Sequence, residues 1–551
     1  MIVDPADVTR YTEAGWWGTH TISDLVREHA RTKPDTAAYI EPDRRTTWAR
    51  YDSEADRVAG ALVGAGLSPG DRVAVLLPDS VHFHIALLGT ERAGVVAVGI
   101  GARAGDAEIA HLVQRTNARA LITLAEHRGR DAAEFPAVLA QRGAGIDWHM
   151  VLGEDEPRVH RVDADGRTAD AAQFERPAPS AYAERALGPN DLWALNSTSG
   201  TTGMPKSVTQ FQNRWLYFVE LARRAGELSE SDILFGGVPG PFGFGLWTAH
   251  FAPAVLGAST VVLPRFTTES MIDMIEQEQV TVLCCVSTQF RMLLNSPSAE
   301  SSRLSSLRVM FTGGEAIPYE RAVEFERRTG AVVLNFFGSN ETGAFSYTTI
   351  HDSAEQRFCT GGSLIPEMDV RLFDDDFNDI TASGGPGQPG GKGPLTCAGY
   401  DNDPGANAQL YTPDGYMLMG DLVTIGEDGY LRLVGRKSDL IIRGGKNISA
   451  AEVEAEVETH PAVELVSVVP VADELYGERV CAVVTTHPGA QLELEELTEH
   501  LLARGVSKEL LPERLLVVPE LPRSSGGKIA KAEVRRLVAE RLKDEMGSGT
   551  R

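Results

Sequence analysis

The hydrophobic pattern of the first 180 residues follows one rhythm. YDSEADRVAGALVGAGL (51–67) reads as a helix ending near Gly64 or Gly66, and SPGD turns the chain. RVAVLLP then reads as a buried strand, and a further helix begins near Asp79. VVAVGIG and ARALITL are two more strand-like runs with a polar helix between them. The alternation resumes through STVVLP, a helix at 269–278, VTVLCCV, LRVMFTGG and AVVLNFFG. Uninterrupted apolar runs separated by helices predict an α/β chain with mainly parallel sheets covered on both faces. Loops following such strands gather ligands, which draws attention to MFTGG (310–314) and NFFGSNE (335–341).

The pattern breaks at 383–393, where SGGPGQPGGKG reads as turn chemistry. YMLMGDLV and YLRLVG then suggest antiparallel strands, and GRKSDLIIRGGKN is locally basic. We place a boundary at Gly435–Ser438, giving a large N-terminal body, 1–435, and a small α+β domain, 436–551. A chain of 551 residues is too long for one ordinary core.

Composition narrows the function. A net charge of -25 argues against nucleic acid as a bulk partner. No apolar run approaches the ~20 residues of a membrane span, and MIVDPADVTR lacks the features of a secretory signal. A soluble cytoplasmic enzyme is the expectation. The five cysteines, Cys284, Cys285, Cys359, Cys397 and Cys481, lack CxxC spacing and read as apolar filler. His82 and His84 lie two apart on a helix, which does not make a metal site.

The densest chemistry is NSTSGTTGMPKSV (196–208), directly after the apolar DLWAL. Glycines let several N–H groups converge on an anion, hydroxyls add donors, and Lys206 adds charge. The Walker A spacing is absent, so this is a phosphate cradle of another kind.

STSGTTGMPK resembles the signature of the adenylate-forming superfamily, which groups acyl-CoA synthetases, nonribosomal peptide adenylation domains and luciferases. Further segments match in order, from about Thr46 to Lys531. The resemblance implies that Thr198, Ser199, Gly200, Thr201, Thr202, Gly203 and Lys206 hold ATP phosphates. FTGGEAIP implies an adenine and acyl lining from Gly313, Gly314, Glu315 and Ala316. From NFFGSNETG it implies Phe337 stacking on adenine beside Phe336, with Asn335 at the base edge. Gly338, Ser339 and Asn340 complete that stretch. Glu341 would be the Mg²⁺ ligand, with Thr201 as a second. Asp421 would take the ribose hydroxyls, helped by Arg436, and Ser438 would be the hinge. Lys528 in PRSSGGKIAK would be the mobile catalytic lysine, a charge placed where it builds up during attack. Arg443, Gly444, Gly445 and Lys446 would line the path of CoA. Phe242, Phe244, Gly245, Gly313, Gly314 and Gly338 would form the acyl pocket, its glycines suggesting a roomy wall.

The implied activity is an acyl-CoA ligase: an acid plus MgATP gives acyl-AMP, and the thiol of coenzyme A then takes the acyl group. No aspartate stands in VPGPFGFG to meet an ammonium, which argues for an apolar aryl, alicyclic or fatty acid over an α-amino acid. Several positions depart from the family. Ser207 replaces a glycine and Asn340 a threonine, GQPGGKGP is shortened, Ser438 replaces aspartate or lysine, and Phe242 replaces a histidine. These leave open a chain that performs mainly the thioester half-reaction, or one that loads a carrier protein. A luciferase-type oxygenase and a silent nucleotide-binding protein are alternatives from other classes. A homodimer also stays open.

Overall fold

The computed structural model describes residues 2–154, 156–170, 177–197, 204–314, 319–443, 446–473, 475–523 and 529–548; for Asp170, Ser438, Asn447 and 543–548 it gives the backbone alone. The chain folds into two compact units. The larger takes in Met1–Ser199, Met204–Val370 and Gly391–Met417, and the smaller takes in Arg371–Gly390 and Leu418–Arg551. Backbone packing thus groups 371–390 and 418–435 with the C-terminal residues, whereas the composition of the sequence draws the line at 435.

The larger unit is built on two sheets. In one, Trp148–Leu152, Ala118–Leu124, Arg72–Leu76, Val96–Ile100 and Ala194–Ser197 run parallel in that spatial order. Ser207–Gln210 closes this edge antiparallel to Ala194–Ser197. In the other, Ala37–Glu41, Ser259–Val261, Ile233–Gly236, Val282–Cys284, Val309–Gly313 and Val332–Ser339 are parallel neighbours. Gly343–Tyr347 folds back on the last of these.

The apolar runs become fully buried strands: every residue of Val96–Ile100 and of Val309–Gly313 is buried. Covering helices bury one face each, as Thr268–Glu278 does through Met271, Ile272, Met274 and Ile275. Trp48–Gly64, Val81–Ala93 and Asp106–Thr116 match the predicted helices.

In the smaller unit, Val463–Asp473 and Gly477–Thr486 form a long antiparallel pair. Leu440–Arg443, Lys446–Ser449 and Arg514–Val517 extend the sheet. Ala450–Val457 packs Val453 and Val457 into one core, while Lys531–Ser548 packs Val534 and Val538 into another. Asp421–Ile425 and Tyr430–Arg436 pair antiparallel.

One expectation is corrected. Gln388–Lys392, inside the segment read as turn chemistry, is a β-strand. Its glycines stand where backbone lies against rings: a Cβ on Gly390 would sit 2.8 Å from Phe373, and one on Gly391 would sit 2.3 Å from Phe345. Close approach, and not turning, selects glycine there.

His84 turns inward while His82 stays near the surface beside Arg44. Four rings stack in a column: Tyr39 on His84 at 4.7 Å, His84 on His250 at 5.5 Å, and His250 on Trp193 at 5.4 Å. Both imidazoles are almost wholly buried, and their ring nitrogens have no hydrogen-bond partner among the described residues. Burial pushes both well below the usual histidine pKa, His250 to about 3. No described helix is long and apolar enough to cross a membrane.

Candidate active site

Parallel strands deliver their loops to one side of a sheet. Ala194–Ser197 ends there, and its partner strand returns with Ser207 directly opposite Ser197. The cradle sequence is therefore the connection of a strand pair. Thr198, Ser199, Gly200, Thr201, Thr202 and Gly203 lie outside the described residues, as do Glu315, Ala316, Gly444, Gly445 and Lys528.

Lys206, at the near end of that connection, places its ammonium 4.8 Å from the centre of the Tyr400 ring. The Tyr400 hydroxyl donates to Glu341 Oε1 at 2.7 Å. Burial, followed by the Glu341 charge, drives the phenol pKa upward, so the hydroxyl stays a donor at neutral pH. Nothing among the described residues hydrogen-bonds the other carboxylate oxygen of Glu341. Lys206 and Glu341, far apart in sequence, thus meet through a residue the sequence reading did not single out.

The turn carrying Glu341 is tightly specified. Ser339 Oγ accepts from the N–H groups of Glu341 (3.2 Å) and Thr342 (3.1 Å). Gly338 and Gly343 let the strands cross closely: a Cβ on Gly338 would lie 1.8 Å from the Gly343 carbonyl oxygen. Along Val332–Ser339 successive side chains alternate faces. Phe336 enters an aromatic cluster with Phe218 at 4.7 Å, Phe311 at 5.9 Å and Tyr347 at 5.8 Å. Phe337 takes the other face, is half-buried, and meets no ring among the described residues. Asn335 pairs with Thr312 across the parallel strands, and its N–H donates to Thr348 Oγ1 at 2.8 Å.

Two of the acyl-pocket candidates, Phe244 and Gly313, lie side by side. Phe244 packs edge-on against Trp247 at 5.4 Å, and its ring lies 3.8 Å from where a Gly313 Cβ would be. Gly314 follows with a positive φ of 76°. Two glycines of the same segment stand at close contacts. A Cβ on Gly243 would meet Asn340 Oδ1 at 2.7 Å, and one on Gly245 would meet the Pro239 carbonyl oxygen at 2.1 Å. Both glycines admit close approach of neighbouring groups.

Behind the Asn340–Glu341 turn lies an arginine the sequence reading also missed. Arg214 is 1% exposed and has no salt bridge to a carboxylate among the described residues. Its Nε donates to Leu395 O (2.8 Å), Nη1 to Gln210 Oε1 (2.7 Å), and Nη2 to the carbonyls of Asn340 (3.0 Å) and Glu341 (3.2 Å). Burial lowers its pKa to about 10, so it remains a cation at neutral pH. No local motif signals such a residue, because its partners are spread from 210 to 395.

In the smaller unit, Asp421 is buried and pairs with Arg436 at 3.3 Å across the strand pair. Ser438 lies in the short helical turn Lys437–Asp439. Arg443 and Lys446 face each other across a strand pair. Arg443 is held by Glu513 at 3.0 Å, and Lys446 by Glu509. Among the described residues no cluster of three metal-ligating side chains occurs, so a cation at Glu341 would need most of its ligands from a bound substrate or water.

Comparison with known proteins agrees with this architecture. The AMP-binding enzyme family model matches residues 26–401, and that of the AMP-binding enzyme C-terminal domain matches 452–528. The chain is 32% identical to a salicylyl-CoA synthase / salicylate adenylyltransferase of a Streptomyces species, covering 96% of each chain. It is 30% identical to the salicyl-AMP ligase / salicyl-S-ArCP synthetase of Mycobacterium tuberculosis, covering 97% of this chain and 93% of that one. Among solved structures, ATP-bound MatB from Rhodopseudomonas palustris superposes with a TM-score of 0.77 at 25% identity, covering 94% of this chain and 98% of that one. Sequence and fold together make this chain a member of the AMP-binding, adenylate-forming ligase family, whose members include CoA ligases and aryl-AMP ligases.

Proposed function

We propose that the chain converts an apolar carboxylic acid, an aryl acid foremost, into acyl-AMP and then passes the acyl group to the thiol of coenzyme A. The observation that carries this reading is the meeting of Lys206, Tyr400 and Glu341 beside the Asn340 turn. In the first step a carboxylate oxygen bonds to the α-phosphorus of ATP while the bond to pyrophosphate breaks. Positioning and charge neutralisation are the main demands of such a displacement. Lys206 supplies charge to the phosphates, and Lys528 supplies it at the attacking and bridging oxygens. Glu341, one oxygen fixed by Tyr400, suits Mg²⁺, which takes oxygen ligands and is completed by phosphates and water. Glu341 and Thr201 would hold the cation, which would supply positive charge against the phosphates. Asp421 and Arg436 take the ribose, and Phe337 stacks on the base. In the second step the thiol sulfur attacks the acyl carbon and AMP leaves.

The acid pocket is assigned to Phe242, Phe244, Gly245, Gly313, Gly314 and Gly338. An aromatic lining of Phe242 and Phe244 suits a flat ring. Resemblance to two salicylate-activating proteins supports the same class.

A second reading keeps the first step and makes a carrier-protein thiol the acceptor. It is favoured by the ion pairs of Arg443 and Lys446 with Glu513 and Glu509, which occupy the cations otherwise assigned to CoA.

The test is mass spectrometry of the protein incubated with MgATP, CoA and pooled aryl, alicyclic and fatty acids, beside Lys528→Ala. The expected result is acyl-CoA from the unmutated protein, with at least about 100-fold less adenylate formed by the variant. Acyl-AMP that accumulates without acyl-CoA at saturating CoA would move the assignment to the carrier-protein reading. Absence of both products from every acid, together with conversion of supplied acyl-AMP to acyl-CoA, would reduce the function to the thioester step.

A further inference from the structure

Asn340 stands in the proposed phosphate-binding turn, and two further side-chain amides link it to the core. Gln210 Oε1 receives two hydrogen bonds, from Arg214 Nη1 at 2.7 Å and Trp215 Nε1 at 2.8 Å. Guanidinium and indole N–H groups can only donate, so the atom facing them must be the oxygen of Gln210. The amide nitrogen of Gln210 is thereby turned the other way, where it donates to Asn196 Oδ1 at 2.7 Å. That contact makes the adjoining atom of Asn196 an oxygen, and it fixes the next amide in turn. Asn196 and Asn340 form a reciprocal pair, Asn340 Nδ2 donating to Asn196 Oδ1 (2.8 Å) and Asn196 Nδ2 donating to Asn340 Oδ1 (2.9 Å).

The chain therefore has one polarity, imposed at its buried end by two obligate donors. Asn340 Oδ1 also lies 3.4 Å from Gln210 Nε2, so the oxygen of Asn340 faces donors inside the protein. Its amide nitrogen keeps a second hydrogen for which no acceptor occurs among the described residues. Arg214 holds the same turn from the backbone side, through the carbonyls of Asn340 and Glu341.

We infer that Arg214, Trp215 and Gln210 are positioning residues that set the direction of the Asn340 carboxamide, so that it presents an N–H donor to the phosphate of the bound nucleotide. This rests on the nucleotide-activating function proposed above. A side-chain amide is symmetric enough in shape to fit either way round. A chain of fixed polarity removes that freedom and replaces the single rotatable hydroxyl of a threonine with a donor that cannot turn away.

Gln210→Glu tests the point with little change in shape. A carboxylate offers only acceptors, so Asn196 must turn its nitrogen toward position 210. Asn340 must then reverse as well and present its oxygen to the nucleotide. The added carboxylate still pairs with Arg214, which keeps the core satisfied. The expected result is MgATP binding about 10- to 100-fold weaker by calorimetry, the range for losing one hydrogen bond to a charged group. A control separates polarity from the charge itself. In Gln210→Glu/Asn340→Thr the hydroxyl can donate whichever way the chain runs, so binding should return to within about threefold of Asn340→Thr alone. Unchanged binding by Gln210→Glu would overturn the inference, and so would a double variant as weak as the single one. If the unmutated protein fails to bind MgATP, the proposed function itself fails, which is a different outcome from either of these.

Discussion

Tyr400 shows how a single hydroxyl can define a carboxylate. Its donation to Glu341 Oε1 leaves the other oxygen of that residue for a ligand, and Lys206 lies over the same ring. Groups that orient a metal ligand typically contribute 10- to 100-fold to metal affinity or activity. Tyr400→Phe keeps the ring under Lys206 and removes the hydroxyl alone. The expected outcome is a rise of about tenfold in the Mg²⁺ concentration that half-saturates adenylate formation, with the fold intact by circular dichroism. An unchanged Mg²⁺ requirement would dissociate Tyr400 from the site. At this scale the sequence is only partly legible. Phe336 and Phe337 are adjacent letters, and period-two alternation separates the buried ring from the half-buried one. Tyr400 and Arg214 carry no such signal, because what distinguishes them is contact across the chain: Tyr400 with a residue 59 positions away and Arg214 with one 181 positions away.

Among the elements, the strand pair Val332–Ser339 and Gly343–Tyr347 bears the candidate metal ligand on its turn. The register slips between Phe337 and Gly338, and the two backbones close to within the space of a missing side chain. Gly338→Ala puts a methyl into the Gly343 carbonyl, so the strands must part. We expect a loss of about 3 kcal/mol or more, the upper part of the overpacking range, seen as a melting temperature lower by about 3 °C or more. Gly145→Ala, with no heavy atom within 4 Å of the new Cβ, serves as the comparison and should melt as the unmutated protein does. Most elements could be read directly from the sequence, because strands buried on both faces appear as unbroken apolar runs. Gln388–Lys392 could not: a strand made of Gln, Pro and Gly has no apolar signature, and its placement depends on rings supplied from elsewhere in the chain.

Across the whole molecule, proton uptake links stability to pH. His84 and His250 are held neutral in the column between Tyr39 and Trp193, their pKa values depressed by burial, that of His250 to about 3. In the unfolded chain both return to the usual value near 6.5. As pH falls below about 6.5 the unfolded state binds protons the folded state refuses, so these two groups cost stability progressively down to their folded pKa values. Glu41 and Glu91, raised to about 7 by burial, act in the opposite sense and favour the folded state between about 7 and the ordinary glutamate range. The net pH profile therefore mixes both, and a difference measurement isolates the histidines. His84→Phe/His250→Phe should gain on the unmutated protein by on the order of 1 kcal/mol per histidine per pH unit between pH 6 and 5. The gain would be read as the shift in urea midpoint between the two proteins. A constant difference across that interval would mean that the imidazoles reach solvent.

The amide chain also has a consequence for how this protein can change over generations. Positions 196, 210, 214 and 340 share one hydrogen-bonded circuit, so the fitness effect of a substitution at any of them depends on the residues at the other three. Lineages that keep asparagine at 340 should keep a donor-only residue at 214 and amides at 196 and 210. In those that adopt a hydroxyl at 340 the direction of the amides at 196 and 210 no longer decides the donor, while Arg214 stays tied to the backbone carbonyls of the turn. Strong epistasis at these positions, and little at the half-buried Phe337 nearby, is the signature this circuit should leave in a deep mutational scan.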